Sequence, residues 1–474
     1  VILAIIGVIM VILMAGRGGQ EEENPIQWTP PSKRFLSLLA LLIERGITPA
    51  EVLDDPSSPQ NRAALWLADE DPLSIPLDTS FDHAVQRYRL VALYYSTGGA
   101  EGYWIENLKF LSEEHECNWN DGGDVYGLGV HCGFGVGSDP DEVDKLNFMA
   151  NNLTGPMPAE MWTMGTLRNA TFMQNGLTGV VPESIGELLH LEFICLGFNG
   201  FTGTVPEQVG ELTKLTWIGM DANNLVGTVP SSVLQLSNLR NISMAWNSLT
   251  GTIPSMTKET NPNLRWVYFG NNNLAGPVPP SLPPFVSIVD LPGNRLNGTI
   301  PEGLANLENF KWLNLGRNEL TGKVPEFLTG VTSLSRQLRL HQNKLTGTIP
   351  EEIGNLAKLV RLDLSGNSLN GTVPMGISGM EKLQILHLQD NELEGQIPES
   401  LEDLLELNSA RFENNNLEGG VGSICGGGNK DIFERATPAQ LVVDCLGEEP
   451  RVLCECCTEC CDGSGTCRPN PQRS

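Results

Sequence analysis

Residues 359–374 read LVRLDLSGNSLNGTVP, a segment in which apolar and polar residues alternate ahead of one asparagine. Leu362 and Leu364 have the period-two spacing of a short strand with one buried face. Asn367 follows this strand, and its amide can both donate to and accept from backbone groups that leave it. Pro374 then fixes φ where the chain turns away. The segment therefore predicts a short strand that ends in an amide-capped turn.

The same segment recurs along the chain, and successive asparagines are 24, 24, 24, 24, 25, 22, 24, 25, 24, 24 and 24 residues apart. One unit cannot bury its own leucines, so the units must stack, with parallel strands on one side and looser segments on the other. The sequence therefore predicts an α/β repeat solenoid. We refer to the twelve repeated asparagines as the asparagine ladder: Asn151, Asn175, Asn199, Asn223, Asn247, Asn272, Asn294, Asn318, Asn343, Asn367, Asn391 and Asn415.

The repeat resembles that of the plant-type leucine-rich repeat family, L-x-x-L-x-L-x-x-N-x-L-x-G-x-I-P. The match covers roughly residues 143–422, and Thr-Gly-Thr-Ile-Pro at 250–254 and at 346–350 carries the G-x-I-P part. The resemblance implies a right-handed leucine-rich repeat horseshoe with a parallel β concave face, a helical N-terminal cap and a disulfide-rich C-terminal cap. Kinase signatures are absent, so the chain looks like a receptor-like protein without a kinase domain.

Cysteines cluster before and after the repeats, which is typical of disulfide-stapled caps in an oxidising compartment. Cys117-Asn-Trp119 followed by Gly129-Val-His-Cys132 resembles the N-terminal cap of the family, which implies a disulfide between Cys117 and Cys132. A thiolate metal site is the alternative for the C-terminal cluster, but that cluster contains no histidine, and we predict disulfides and no metal. Its members are Cys425, Cys445, Cys454, Cys456, Cys457, Cys460, Cys461 and Cys467.

The first sixteen residues contain no charged or polar side chain. We predict a transmembrane signal anchor at 1–16, with a cleavable signal peptide as the alternative. The rest divides into a linker at 17–32, a helical and disulfide-containing N-terminal cap at 33–136, twelve leucine-rich repeats at 137–422, and a cysteine-rich C-terminal cap and tail at 423–474. Apolar residues at 33–45 predict a helix in the N-terminal cap.

Five Asn-x-Ser/Thr triplets lie between the cysteine clusters and predict N-glycosylation on a secretory route. The acceptors are Asn152, Asn169, Asn241, Asn297 and Asn370. Together with the anchor they predict a single-pass membrane protein whose repeats are extracellular, and a secreted protein is the second choice.

The phase of the repeat predicts which side chains face the solvent on the concave sheet, the usual recognition surface in the family. Aromatic residues occupy the position six before the ladder asparagine in several units: Phe193, Trp217, Trp266 and Trp312. Tyr268, four before its own asparagine, joins them. Strands lie ~4.8 Å apart, so successive indoles are expected about 10 Å from each other. Two interpretations stay open: an apolar docking stripe for a ligand, or rings that lie flat and pack on each other.

Further along, basic residues occupy concave positions: Arg339, His341, Arg361, His387 and Arg411. They predict a positive patch for an acidic ligand, or histidines that make binding depend on pH. The alternative is that these residues pair with acidic neighbours on the same face. Those neighbours are Asp363, Asp390 and Glu413.

Charge and motif content exclude several functions. The 474 residues include 30 Lys and Arg against 57 Asp and Glu, and a net charge of −27 disfavours a nucleic acid partner. No phosphate-binding glycine loop, H-E-x-x-H or G-x-S-x-G occurs, so we expect no enzyme activity, no catalytic residue and no cofactor. The resemblance implies a cell-surface protein that recognises an extracellular peptide, glycan or protein and works with a signalling co-receptor. The alternatives are a structural or adhesive matrix protein and a secreted inhibitor of hydrolases.

Overall fold

The computed structural model describes residues 31–122, 127–133, 137, 139–420, 440–444, 452–453, 457–461 and 466–469. The predicted anchor at 1–16 and most of the linker lie outside these residues, as do four of the C-terminal cysteines. Among the residues that the structure describes, no helix has the length and apolar character needed to span a membrane. The chain divides into two compact units, unit 1 at Val1–Thr202 and unit 2 at Gly203–Ser474.

Unit 1 begins with a group of helices. Ser32 starts the first of them, since its side-chain oxygen accepts a hydrogen bond of 2.9 Å from the backbone N–H of Phe35. The helix runs from Lys33 to Glu44, which confirms the helix predicted at 33–45, and it buries the apolar side chains on one of its sides. The helices are α1 (Lys33–Glu44), α2 (Ala50–Leu53), α3 (Pro59–Leu65), which continues into a π-helical turn (Trp66–Glu70), and α4 (Phe81–Ser96).

The centre of this helical group contains a buried arginine. The guanidinium of Arg87 lies 3.0 Å from Asp71 and 3.3 Å from Glu116, and all three side chains are inaccessible to solvent. The same guanidinium lies 4.4 Å from the ring centre of Trp119. Removing one partner of such a network leaves an uncompensated buried charge, so these residues fix the packing of the cap. Cys117 and Cys132 form the disulfide that the resemblance implied.

The strands of unit 1 form two sheets. One has the order β1-β2-β4-β6, with β1 antiparallel to β2 and the others parallel, and the second has the order β3-β5-β7. The strands are β1 (Gly129–Cys132), β2 (Val143–Asn147), β3 (Thr154–Pro156), β4 (Asn169–Thr171), β5 (Gly176–Val180), β6 (Phe193–Cys195) and β7 (Gly200–Thr202). Short 3₁₀ helices lie at Glu116–Asn118, Ala159–Thr163 and Glu183–Glu187.

Unit 2 repeats one strand-turn-strand pattern. Its strands are β8 (Trp217–Gly219), β9 (Asn241–Ser243), β10 (Trp266–Tyr268), β11 (Ala275–Pro277), β12 (Ile288–Asp290), β13 (Arg295–Gly298), β14 (Trp312–Asn314), β15 (Glu319–Gly322), β16 (Gln337–Arg339), β17 (Lys344–Thr348), β18 (Arg361–Asp363), β19 (Ser368–Gly371), β20 (Ile385–His387), β21 (Glu392–Gln396), β22 (Ser409–Arg411), β23 (Asn416–Gly420), β24 (Gln440–Asp444), β25 (Val452–Leu453), β26 (Glu459–Cys461) and β27 (Cys467–Pro469).

The long sheet of unit 2 has the order β8-β9-β10-β12-β14-β16-β18-β20-β22-β24-β26-β27, and the second sheet has the order β11-β13-β15-β17-β19-β21-β23-β25. Pairing in the long sheet is parallel until β27, which runs antiparallel to β26. Short 3₁₀ helices lie at Glu207–Glu211, Val233–Gln235, Glu302–Asn306, Glu326–Gly330, Glu351–Asn355, Met375–Gly379 and Glu399–Asp403. A disulfide joins Cys461 to Cys467, and Cys457 and Cys460 are also disulfide-bonded.

The asparagine ladder joins successive repeats. The side-chain nitrogen of Asn367 donates to the carbonyl of Leu340 in the preceding repeat (3.1 Å) and to that of Leu364 in its own repeat (3.0 Å). Its side-chain oxygen accepts from the N–H of Leu345, again in the preceding repeat (3.1 Å). One amide therefore satisfies backbone groups of two units, each of which would cost ~1–3 kcal/mol if left buried and unpaired.

Candidate functional site

The exposed side of the long sheet in unit 2 presents two rows of side chains. In β10 the central Val267 is 1% exposed, whereas Trp266 and Tyr268 on either side are half-buried. The parallel register pairs Trp266 with Asn241 on one neighbour and with Ile288 on the other, so equivalent positions of successive repeats align. We call the residues six and four positions before each ladder asparagine, from β8 to β22, the strand face of unit 2.

Most of the aromatic and basic residues singled out in the sequence lie on this face: Trp217, Trp266, Tyr268, Trp312, Arg339, Arg361, His387 and Arg411. His341 adjoins it, two positions before Asn343. Phe193 is half-buried at the equivalent position of β6 in unit 1. The strand face therefore carries aromatic side chains toward β8 and basic side chains toward β22.

Two indoles at the aromatic end contact each other directly. The ring centres of Trp217 and Trp266 lie 5.7 Å apart in an edge-to-face arrangement, although β9 separates their strands. The expected separation of about 10 Å is therefore wrong for this pair, because backbone spacing does not determine where long side chains lean. The rings pack on each other and remain half-exposed, so each of the two interpretations describes part of the arrangement.

A carboxylate fixes the third indole. The ring N–H of Trp312 donates to Asp290 (3.1 Å), and the side-chain amide of Asn314 donates to the same oxygen (2.8 Å). Burial raises the pKa of Asp290, and these two hydrogen bonds oppose the rise. Asp290 thus orients one aromatic and one amide side chain on the strand face.

A second carboxylate lies at the turn after β8. Asp221 accepts hydrogen bonds from the hydroxyl of Ser243 and from the backbone N–H of Ala245 (2.9 Å). Burial raises the pKa of Asp221. Burial and the charges of Asp290 and Asp221 raise the pKa of Tyr268, so its phenol keeps its proton at neutral pH. Two carboxyl groups, those of Asp290 on the strand face and of Asp221 beside it, therefore lie at the aromatic end.

Trp246 is a further aromatic residue that the sequence analysis missed. It is 63% exposed and lies in the turn directly before Asn247, where φ is +58°. Left-handed backbone is uncommon for a bulky residue. The residue before each ladder asparagine adopts positive φ throughout, so the position itself could have been identified from the phase of the repeat. Asp221 and Asp290 could have been identified in the same way, at two and four positions before their asparagines.

At the basic end, three side chains surround one carboxylate. Asp363 lies 3.6 Å from Arg339, 3.7 Å from His341 and 3.9 Å from His387. Burial lowers the pKa of His341, and it lowers the pKa of His387 to about 4. Both imidazoles are therefore neutral near pH 7, and the positive charge of this region comes from its arginines.

The arginines differ in how they are paired. Arg411 pairs with Glu413, whereas Asp390 accepts a hydrogen bond from Asn414 (2.7 Å). Arg361 is half-buried, and within the described part of the chain its guanidinium makes neither a hydrogen bond nor an ion pair. Burial, and next the charge of Arg339, lowers the pKa of Arg361. Asp363 and Glu413 therefore pair with basic neighbours, as one of the two interpretations predicted. The N–H groups of Arg361 have no such partner among the described residues, so they can donate to a ligand.

The comparison with protein families identifies the repeat. The family model described as leucine rich repeat matches residues 336–393, which contain β16 to β20 and the ladder asparagines Asn343, Asn367 and Asn391. These repeats are leucine-rich repeats. No curated protein matches the chain in sequence.

Several solved structures are similar to this chain. A PEPR1–AtPEP1 structure is 26% identical with a TM-score of 0.57, and the match covers 71% of this chain and 49% of that one. A TDR receptor structure is 29% identical with a TM-score of 0.54, covering 59% of this chain and 52% of that one. A leucine-rich repeat protein of Leptospira interrogans is 28% identical with a TM-score of 0.49, covering 64% and 72%. The chain spans about half the length of the first two structures.

The predicted glycosylation sites differ in accessibility within the leucine-rich repeats. Asn297 and Asn370 are exposed. Asn152 is also exposed, but its side-chain amide donates to the carbonyl of Tyr103 (2.7 Å). Asn169 and Asn241 are half-buried in β4 and β9. Asn297 and Asn370 therefore present the most accessible side-chain amides for glycosylation.

Proposed function

We propose that this chain is the ligand-recognising, non-catalytic part of a receptor-like protein, and that it binds an extracellular peptide along the strand face of unit 2. The observation that carries the proposal is the chemistry of this face. Half-exposed indoles lie at one end beside two carboxylates, and Arg361 offers unpaired donors toward the other. A peptide can present apolar, cationic and anionic groups together, whereas a neutral glycan lacks a partner for the arginine.

The aromatic end supports a role in affinity. Large aromatic side chains supply much of the energy of protein interfaces because they bury a large area and lose little conformational freedom. Trp217 and Trp266 hold each other in place by their edge-to-face contact, and Asp290 holds Trp312. These rings are therefore ordered before a ligand arrives, which lowers the entropy lost on binding.

The charges support a defined orientation of the ligand. Asp221 and Asp290 favour a cationic side chain of the ligand at the aromatic end, and Arg361 favours an anionic group at the other end. Charge complementarity of this kind contributes more to specificity and to the association rate than to affinity. A ligand with the reverse order of charges would place like charges together.

Comparisons with solved structures support a receptor-like role. Of the structures described above, the two with a TM-score above 0.5 are a receptor and a structure that pairs PEPR1 with AtPEP1. We also propose a signalling co-receptor as a second partner.

Residues 1–16 would attach the protein to the membrane. A product that stays soluble after detergent-free fractionation would favour secretion instead.

The test uses the full chain, produced by secretion with its disulfides formed, and an array of synthetic peptides that vary in charge order. We expect Trp217→Ala and Trp266→Ala each to weaken the selected peptide about thirtyfold, the effect of an interface residue that contributes ~2 kcal/mol. The matched control is Leu405→Ala, since Leu405 is 69% exposed beyond the 3₁₀ helix at Glu399–Asp403. Unchanged affinity in both tryptophan variants would contradict the proposal.

A further inference from the structure

Two histidines of unit 1 that are distant in the sequence meet beside the first turn of α4. His83 lies in that turn, and His115 directly precedes the 3₁₀ helix at Glu116–Asn118. Their imidazole rings stack with centres 4.6 Å apart and planes inclined by 27°. Only the folded cap brings these two histidines together, since they are 32 residues apart in the sequence.

A buried carboxylate completes the cluster. Glu116 has a fully buried side chain, and one of its oxygens lies 3.0 Å from Nε2 of His83. The other oxygen lies 3.8 Å from Nδ1 of His115. One potential ligand atom from each of the three residues lies within 4.8 Å of the other two.

We propose that His83, His115 and Glu116 bind a divalent transition-metal ion, with Zn²⁺ as the ion they suit best. Two imidazole nitrogens and one carboxylate oxygen are a common zinc ligand set. Ligands of tetrahedral zinc at ~2.0–2.1 Å from the metal are separated by about 3.3 Å from one another. Both nitrogen–oxygen distances lie near this value. Because the two rings stack, binding also requires them to rotate until both nitrogens face the same point, and a water molecule can take the fourth position.

The surroundings of the cluster favour a cation. It borders a cleft of about 800 Å³ whose lining includes four carboxylates and two arginines. The carboxylates are those of Asp82, Asp139, Asp141 and Glu142. The histidine side chains are 30% and 31% exposed, so an ion can reach them from solvent.

Arg87 is the positive charge that contacts Glu116 directly, and it opposes a cation there. The guanidinium of Arg87 lies 3.3 Å from Glu116 and 3.0 Å from Asp71. The carboxylate of Asp71 therefore balances the positive charge of Arg87. Arg87 also donates to the carbonyls of Ser112 (2.8 Å) and Glu114 (3.0 Å). Arg87 is therefore held in place without Glu116, whose carboxylate can contact a metal as well.

Bound metal would join α4 to the segment that contains the Cys117–Cys132 disulfide. Because binding to the folded state stabilises that state, Zn²⁺ should raise the thermal unfolding temperature of the cap. The fold does not depend on the ion, since Arg87 and the disulfide already connect the same elements.

The experiment titrates Zn²⁺ into the oxidised, alkylated full chain by calorimetry and records thermal unfolding in parallel. We expect one ion per chain and a higher unfolding temperature with zinc. We expect His83→Gln and His115→Gln each to lower the zinc affinity at least about tenfold. Removing a group that only supports a metal ligand already lowers metal affinity by about this factor. The control is His190→Gln, which removes an exposed histidine of the same unit.

A second measurement keeps the test decisive if a variant loses stability. Copper(II) bound to the native chain should show coupling to two imidazole nitrogens in its electron paramagnetic resonance spectrum, and to one nitrogen in His115→Gln. Unchanged zinc affinity in both cap variants would overturn the proposal. Loss of binding in a His341→Gln/His387→Gln variant instead would also overturn it, since that result would assign the ion to unit 2.

Discussion

At the scale of single residues, the amide of each ladder asparagine performs a task that no other side chain in the repeat can perform. Asn318 shows this arrangement in a buried setting. Its nitrogen donates to the carbonyls of Leu291 and Leu315, both at 3.0 Å, and its oxygen accepts from the N–H of Leu296 at 3.0 Å. An aliphatic side chain would leave these three backbone groups unsatisfied.

We therefore expect Asn318→Ala to lower the free energy of unfolding by about 2–3 kcal/mol, the cost of buried unpaired backbone groups. The measurement is the shift of the urea midpoint. Asn238→Ala is the control, because Asn238 is exposed and donates once, to the carbonyl of Thr213 (2.8 Å). Equal shifts in the two variants would show that the ladder amides do not stabilise the stack.

His387 makes stability depend on pH. Burial, ahead of the surrounding charges, lowers the pKa of His387 to about 4, whereas an imidazole in an unfolded chain titrates near ~6.5. As pH falls below 6.5 the unfolded chain takes up the proton first, so this stability is complete above pH 6.5 and is lost toward pH 4. We expect His387→Gln to reduce the loss of unfolding free energy between these values by about 1–2 kcal/mol.

Urea unfolding at pH 7 and at pH 4.5 measures this difference. The exposed His190 supplies the control, and His190→Gln should leave the pH dependence as it is in the native chain. A native chain whose stability does not change over this range would contradict the buried, neutral state of His387.

The sequence predicted residue positions better than residue contacts. The phase of the ladder placed Trp217, Trp266 and Tyr268 on one face, because side chains alternate along a strand. It did not predict that Asp290 holds Trp312, since that contact depends on side-chain conformations of two adjacent repeats. The contact between His83 and His115 could not be predicted from the sequence either, because it depends on how α4 packs.

At the scale of elements, the end of the second strand in a repeat requires backbone that most residues avoid. Gly371, four residues after Asn367, has φ of +72°, and a Cβ atom there would lie 2.9 Å from the side chain of Thr348. Gly298 occupies the same position of another repeat with φ of +76°, but no atom lies within 4 Å of its Cβ position. Substitutions at these two glycines therefore distinguish the cost of a left-handed backbone, which both share, from the cost of crowding, which only Gly371 has.

We expect Gly298→Ala to lower the free energy of unfolding by about 1 kcal/mol, the cost of left-handed backbone. Gly371→Ala should lower it further, by about 2–3 kcal/mol, because the methyl group also displaces Thr348. Thermal unfolding gives the ranking. Gly330→Ala, at the end of a 3₁₀ helix with open space around it, should be close to neutral. A Gly371 variant no worse than the Gly298 variant would contradict crowding at the turn.

The element pattern of the repeats could be predicted because every unit must satisfy the same packing. Alternating leucines predicted the strands, and the apolar run at 33–45 predicted α1. The 3₁₀ helices, such as Glu351–Asn355, were not predicted, since one short turn leaves too few apolar residues to show a period.

At the scale of the whole molecule, stacking of one unit many times explains why the fold follows from the sequence and the ligand does not. Each leucine row has the same neighbours in every repeat, so the core carries little information beyond the period. The residues of the strand face differ from repeat to repeat, and this variation permits recognition of a specific partner.

The central claim is that a ligand binds the strand face of unit 2, and side-chain footprinting with hydroxyl radicals tests it most directly. The full chain is oxidised with and without the peptide selected on the array, and modification is quantified at Trp217, Trp266 and Met375. Met375 is 69% exposed at the start of a 3₁₀ helix and serves as the internal reference. We predict protection of both tryptophans and no change at Met375; protection of Met375 with both tryptophans unchanged would contradict the claim.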